Sequence, residues 1–152
     1  MPHVRSFMTS NRGVFGLLLM SASVSNSADA FSAVRIYGSG IASVNTKYEW
    51  RSSNLIPEGF ARVCVQNQWD VETTWAQLNG GRNWLHASND AYIYLNSMDD
   101  QWWIDEPSGR GVFVAPHQKV LSSLNNDFLP PMNGWRALEQ GNSPLPNVEL
   151  IR

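Results

Sequence analysis

The sequence predicts an α+β fold, mainly an antiparallel β-meander with one or two short helices inserted after the second strand. Two observations support this class. Four short apolar-rich runs follow one another after residue 81, separated only by small clusters of turn-forming residues. Such separators are too short for crossover helices, so neighbouring strands must be antiparallel. Ahead of these runs, apolar residues recur at helical spacing.

Residues 1–30 are predicted to be a cleaved secretory signal peptide. Arg5 and Arg12 precede a short apolar run, Val14 to Met20, and Ala28-Asp29-Ala30 places small residues at the spacing that signal peptidase accepts. The apolar run is shorter than the roughly 20 residues needed to cross a bilayer. No later segment is long enough either, so we expect no membrane span.

The remaining residues, 31–152, are predicted to form a single β-rich domain with a proline-rich C-terminal tail. Its first strand covers Val34-Arg35-Ile36, where apolar and polar residues alternate until Gly38 and Gly40 break the pattern. Residues 48–51 are predicted to form a second short strand.

The segment after the second strand, residues 58–66, is open between two interpretations. Pro57 at the start of the segment is typical of the first position of a helix, and Phe60, Val63 and Cys64 would then share one helical face. The same segment could instead be a strand, with alternate apolar side chains facing inward. The choice decides whether one helix or two precede the meander.

A further short helix is predicted to begin after Asp70, whose side chain can cap it, and to end at Gly80. Val71, Trp75 and Leu78 fall at i, i+4 and i+7 within it. These three side chains would therefore lie on one face and contact the core.

The four strands of the meander carry large apolar side chains on both faces. Tyr92 and Tyr94 face one side, and Ile93 and Leu95 the other. One face should therefore cover the core, while the other meets the helices or a partner. The predicted strands span residues 83–86, 92–96, 101–106 and 111–115.

The C-terminal tail contains too many prolines for a central strand. Pro130-Pro131 and Pro144-Leu145-Pro146 interrupt it at two places. We therefore expect the tail to run over the surface and to end in an edge strand at Val148 to Ile151.

Composition argues against several classes of function. The formal net charge is −2, with no cluster of Lys and Arg, so the chain lacks the electropositive surface that nucleic-acid binding requires. Hydrophobic residues make up 43% of the chain and charged residues 16%, which lies outside the disordered class. We expect a folded domain without a nucleic-acid partner.

Catalytic and metal-binding patterns are weak. Cys64 is the only cysteine, so no intrachain disulfide can form, and it is expected to be a small core residue. Together with His86 and His117 it is too widely spaced for a zinc signature, and no metal or cofactor is predicted. Asp105 and Glu106 would point to opposite faces of a strand, which excludes a glycosidase pair. An enzyme of unrecognised type, pairing Cys64 with a histidine, stays open.

Tryptophan is the most distinctive component, with seven residues in the chain. One small core does not easily absorb so many indoles, so some are expected at the surface. The first hypothesis is a non-catalytic module that binds another protein through the face bearing Trp103 and through the proline-rich tail. The alternative is a glycan-binding module that stacks sugar rings on exposed indoles. The candidate partner- or ligand-binding residues are Trp84, Asn89, Asp90, Trp103, Asp105 and Trp135.

The two ends of the domain resemble a known family. Gly38-Ser39-Gly40 is followed by Ser43-Val44-Asn45 and Tyr48, and the chain closes with Pro130-Pro131, Gly134-Trp135 and Pro144-x-Pro146. These motifs are similar to those of a small domain of uncharacterised function, often repeated, in proteins of oomycetes, diatoms and dinoflagellates. The resemblance implies an architecture and carries no catalytic residues. Residues 49–78 stand here in place of the family's usual short link after the tyrosine.

The junction between Ala30 and Phe31 resembles the cleavage site of the bipartite plastid-targeting sequences of diatoms and related algae. The resemblance implies delivery to a plastid through the secretory route, where the partner could be a photosynthetic complex. Release to the cell exterior is the alternative destination, and both stay open.

Overall fold

The computed structural model describes residues 31–118 and 128–152, and it confirms a β-rich α+β fold built mostly from antiparallel strands. The predicted signal peptide, residues 1–30, lies outside the described residues. The helices of the described part are α1, Glu58–Gln66, and α2, Val71–Asn79. The strands are β1 Ala33–Tyr37, β2 Lys47–Arg51, β3 Trp84–Ala87, β4 Tyr92–Asn96, β5 Gln101–Asp105, β6 Gly111–Pro116, β7 Arg136–Ala137 and β8 Asn147–Ile151.

All of these strands belong to one antiparallel sheet in the order β7-β6-β5-β4-β3-β2-β1-β8. The chain therefore runs as a meander from β1 to β7 and then returns to add β8 beside β1. Ala33 pairs with Ile151 in this last ladder, so the end of the tail forms an edge strand, as the sequence predicts.

The sheet is strongly curled. This follows from two hydrogen bonds by which one short segment of the tail contacts residues near both ends of the sheet. Asn142 Nδ2 donates to Val112 O of β6 at 3.1 Å, and Gly40 N, just after β1, donates to Pro144 O at 2.8 Å. In a flat sheet β1 and β6 would lie about 24 Å apart, whereas the two residues from Asn142 to Pro144 span at most about 7 Å. The curl brings the two ends together around one core.

Two apolar clusters fill the described part of the molecule, one on each face of the sheet. The inner cluster lies inside the curl and includes Tyr48, Ile93, Trp102 and Trp135. The outer cluster, where the helices cover β3 and β4, is mostly aromatic. Its buried members are Phe60, Cys64, Trp75, Trp84, Tyr92 and Tyr94.

Residues 58–66, left open by the sequence pattern, form a helix that is held in place by two glycines. A Cβ on Gly59 would lie 2.7 Å from the backbone nitrogen of Gly109, and a Cβ on Gly109 would lie 2.5 Å from Gly59 O. Neither position accepts a side chain unless the backbone moves. This close approach fixes the first turn of α1 against the turn between β5 and β6.

The corner between α1 and α2 is a Schellman motif. Trp69 N–H donates to Cys64 O at 2.9 Å, and Gln68 N–H donates to Val65 O at 3.2 Å, so both bonds close the last turn of α1. Gln68 sits at φ +59°, a left-handed conformation that glycine normally supplies at this position. The next helix begins at once, because Asp70 Oδ1 accepts the Thr73 N–H at 2.8 Å.

Replacing Gln68 with glycine should raise the free energy of unfolding by about 1 kcal/mol. The left-handed conformation disfavours an ordinary side chain by roughly 1–2 kcal/mol, and the greater flexibility of glycine in the unfolded chain offsets part of that gain. Urea denaturation measures the difference. The same change at Gln77, inside α2 and exposed, should instead lower stability by about 1 kcal/mol. Equal effects at the two positions would contradict the strained corner.

The proline-rich tail departs in part from the prediction that it runs over the surface. Pro130, Pro131 and Asn142 are buried, and Trp135 is only 5% exposed. Trp135 enters the inner cluster because its Nε1 finds a partner in Pro131 O, at 2.8 Å, without leaving the apolar core. The tail is therefore partly a structural element of the domain.

No helix among the described residues is long and apolar enough to cross a membrane.

Candidate functional site

The terminal motifs are joined in space and have structural roles. Ser39 N–H donates to Asn45 Oδ1, and Asn45 Nδ2 donates back to Ser39 O, both at 3.0 Å. Tyr48 Oη donates to Val44 O at 2.8 Å from inside the inner cluster. A Cβ on Gly40 would collide with the backbone of Ser143. These residues shape the turn after β1 and its contact with the tail.

The seven indoles all lie within the described residues, and most are packed inside. Trp75, Trp84, Trp102 and Trp135 are each at most 5% exposed, whereas Trp69 is 54% exposed. Trp50 and Trp103 are half-buried. An extended row of exposed indoles is therefore absent from the described surface.

The sequence-predicted site residues are dispersed over the fold. Trp84 is buried in the outer cluster, where its Nε1 donates to Ser52 O and Leu55 O at 3.1 and 2.9 Å. Trp103 lies at the margin of the same cluster with its Nε1 bonded to Asp99 at 2.9 Å. Trp135 belongs to the inner cluster, on the opposite face of the sheet.

The remaining three predicted site residues have different surroundings. Asn89 is exposed in the turn between β3 and β4, where its Nδ2 donates to Ser43 O at 2.7 Å. Asp90, at φ +72°, pairs with His86 at 3.0 Å. Asp105 is only 4% exposed. The structure does not bring these three residues together with the three predicted indoles into one surface.

Asp105 is the most perturbed acid in the described part. Burial raises the pKa of its carboxyl to about 7, and the hydroxyl of Tyr92, its cross-strand neighbour, opposes that rise only in part. Neither Asp105 Oδ1 nor Tyr92 Oη has a hydrogen-bond partner within 3.5 Å among the described residues. Burial, followed by the charge of Asp105, also raises the pKa of Tyr92. Asp105 is therefore a buried acid that Tyr92 compensates only in part.

The thiol and the imidazoles do not converge on this carboxyl in a described cavity. Cys64 has no exposed surface in the outer cluster, and burial is the main cause that raises the pKa of its thiol. His86 pairs with Asp90, and His117 pairs with Asp100 at 3.0 Å. The described residues contain no group of three or more potential metal ligands.

The most exposed aromatic anchor lies at the Schellman corner and was not singled out from the sequence. Trp69 is 54% exposed, and Val65, four residues earlier in the last turn of α1, is 68% exposed. We call this pair the corner patch. A local signal was available, because Trp69 follows Gln66-Asn67-Gln68 and precedes Asp70, so no apolar neighbour in sequence accompanies it into a core.

A cavity of about 360 Å³ lies along one face of α2. Ser53 and Asn54, in the loop after β2, form one wall, and Glu72, Trp75 and Asn79 of α2 form the other. Helical spacing places these three α2 residues on one face. No basic side chain lines this cavity.

Two polar atoms on the cavity-lining residues lack partners. Trp75 Nε1 is a donor and Asn79 Oδ1 an acceptor, and neither forms a hydrogen bond within the described part of the chain. The orientation of the Asn79 amide is fixed because its Nδ2 donates to Arg82 O. A buried polar group left unpaired lowers stability by about 1–3 kcal/mol. A ligand that paired with these atoms would be favoured, but it could reach them only after a shift of neighbouring side chains, since both atoms have almost no accessible surface.

The structure therefore offers one exposed apolar anchor and one mixed polar cavity at neighbouring positions along the chain.

Comparisons with protein-family models, with curated proteins and with solved structures find no match for this chain.

Proposed function

We propose that this protein is a non-catalytic protein-interaction module, exported through the secretory route, whose main contact is the corner patch of Val65 and Trp69. Tryptophan is among the residues most enriched at the energetic centres of protein interfaces. The half-exposed indole of Trp69 offers such a centre, and Val65, four residues earlier in the chain, is exposed as well.

The observation that carries the proposal is the rigid presentation of Trp69. Its N–H is bonded to Cys64 O at 2.9 Å, and Asp70, the next residue, caps α2. Gln68 adopts a left-handed conformation to make this corner. An anchor whose backbone is already ordered loses less conformational entropy on binding, which favours affinity. Local backbone strain is also found preferentially at functional positions.

Other surfaces could extend the contact. Trp103 keeps part of its ring exposed, and Met132 and Leu145 of the proline-rich tail are 62% and 47% exposed.

The plastid destination and a photosynthetic partner remain proposals that rest on the resemblance of the Ala30–Phe31 junction.

The glycan-binding alternative has less support. Sugar stacking needs indole faces open to solvent, yet Trp84 is 3% exposed. Trp69 is the one indole among the seven that is more than half exposed, and its neighbour on the corner patch is apolar rather than polar.

The proposal is tested by retention of a partner on the immobilised full-length chain. Extract of the source cells is passed over the wild type, over Trp69→Ser, and over Met98→Ser, which removes an apolar side chain that is even more exposed, at 74%, from the turn between β4 and β5. We expect one protein retained by the wild type and by Met98→Ser, and reduced at least about tenfold by Trp69→Ser. Equal retention by all three chains, or equal loss with both variants, would overturn the proposal.

A further inference from the structure

We propose that the cavity between α2 and the loop after β2 binds an arginine- or lysine-bearing segment of peptide. This inference rests on the proposed function, because it names the chemistry of the partner that also contacts Trp69. It is supported by the groups that line the cavity, namely one carboxylate without an ion pair and two polar atoms without hydrogen-bond partners among the described residues.

The first step is electrostatic. Glu72 is exposed at the cavity wall and forms no ion pair among the described residues. Ser53 and Asn54 on the facing wall add further polar groups. Because Glu72 is the one charged side chain among the lining residues, a cation would gain a carboxylate partner there, whereas an anion would be repelled by it.

Arg82 is a basic residue that contacts one of the residues lining the cavity, Asn79. Its Nη1 donates to Ser97 Oγ at 2.6 Å and lies 3.5 Å from Asn79 O, so its charge is directed to the end of α2 that is far from Glu72. A ligand cation is therefore expected at the Glu72 end.

The second step concerns hydrogen bonding. Trp75 Nε1 can donate and Asn79 Oδ1 can accept, and neither has a partner in the described structure. A peptide unit carries one carbonyl acceptor and one N–H donor, which matches this pair. A basic side chain on the same segment matches Glu72. An isolated amine or guanidine would satisfy only the carboxylate.

Position links the cavity to the corner patch. Trp69 immediately precedes Asp70, and Glu72 lies in the first turn of α2, so one short segment of a partner can reach both. Glu72 and Asn54 are open to solvent. Contact with Trp75 Nε1 and Asn79 Oδ1 requires neighbouring side chains to shift, because these two atoms have almost no accessible surface.

The experiment is a titration of the ¹⁵N-labelled full-length chain with Nα-acetyl-arginine N-methylamide, followed by the indole signal of Trp75 and the side-chain amide signal of Asn79. We expect saturable shifts of both signals with a dissociation constant on the order of 1 mM. The citrulline analogue, which is isosteric and neutral, should bind about tenfold more weakly. Added salt should weaken the arginine probe more than the citrulline probe.

Variants of exposed residues keep the test independent of folding. Glu72→Gln should weaken the arginine probe about tenfold, whereas Gln77→Ala, on α2 but outside the cavity lining, should leave it unchanged. Equal binding of arginine and citrulline probes, equal affinity of Glu72→Gln and wild type, or shifts confined to other residues would overturn the inference. Trp69→Ser should leave probe binding intact, so a failure of the corner patch and a failure of the cavity are distinguishable.

Discussion

The free energy of unfolding of the wild-type protein is expected to fall by about 4 kcal/mol as the pH rises from about 4 to about 7, and the replacement of Asp105 with asparagine is expected to abolish this fall. The folded pKa of Asp105 is about 7, compared with an ordinary value of 3.8. The folded state therefore keeps a proton over a range in which the unfolded state has released it. Each pH unit in that range lowers the free energy of unfolding by about 1.4 kcal/mol.

The sign follows from burial. Below about pH 4 both the folded and the unfolded state hold the proton, and the free energy of unfolding is not reduced by Asp105. The free energy of unfolding then falls as the pH rises to about 7, and it changes no further above that value. Urea denaturation of wild type and Asp105→Asn at several pH values measures the difference. Gln77→Ala, at an exposed position of α2 that carries no titratable group, should leave the pH profile unchanged. Parallel profiles for wild type and Asp105→Asn would show that burial does not raise the pKa of Asp105.

Replacing Trp75 with alanine should lower the free energy of unfolding by about 3–5 kcal/mol. The indole is at the centre of the outer cluster, with ring centroids 5.0 Å from Phe60, 5.4 Å from Tyr94 and 5.9 Å from Trp84. Its removal leaves a cavity between α2 and the sheet and weakens the attachment of both helices. Denaturant melts measure the loss.

Cys64 gives a second readout of the same variant. The thiol is fully buried under the helices in the wild type, so its reaction with a disulfide reagent reports on local opening. Trp75→Ala should accelerate this reaction strongly, while Trp75→Phe should restore most of the protection. Trp69→Ala, at the surface, should change stability by less than about 1 kcal/mol. A Trp75→Ala chain with unchanged stability and unchanged thiol protection would contradict the two-cluster architecture.

The strands were predictable because their signal is local. Tyr92 to Leu95 alternate between the outer and inner clusters, and short runs of turn-formers bound each strand. Residues 58–66 could not be decided in this way. Their helix depends on contacts distant in sequence, such as Gly59 against Gly109 and Phe60 against Trp75, and no periodicity within nine residues encodes those contacts.

The location of the indoles was the least predictable feature. Trp84 and Trp135 are buried because backbone carbonyls of Ser52, Leu55 and Pro131 accept their N–H groups. Those partners become neighbours only in the folded chain. The cavity beside α2 likewise depends on how the loop after β2 lies against the helix. Exposure of Trp69 did have a local signal, since it stands alone in a polar stretch.

The most direct test of the interaction surface is site-specific photo-cross-linking from position 65 of the full-length chain in extract of the source cells. A photoreactive residue at position 65 should give one dominant cross-linked protein, and the product should disappear when Trp69→Ser is added. The same photoreactive residue at position 77, on the exposed side of α2, should not give that product. Identical cross-linking patterns from positions 65 and 77, or a product from position 65 that survives Trp69→Ser, would contradict the account.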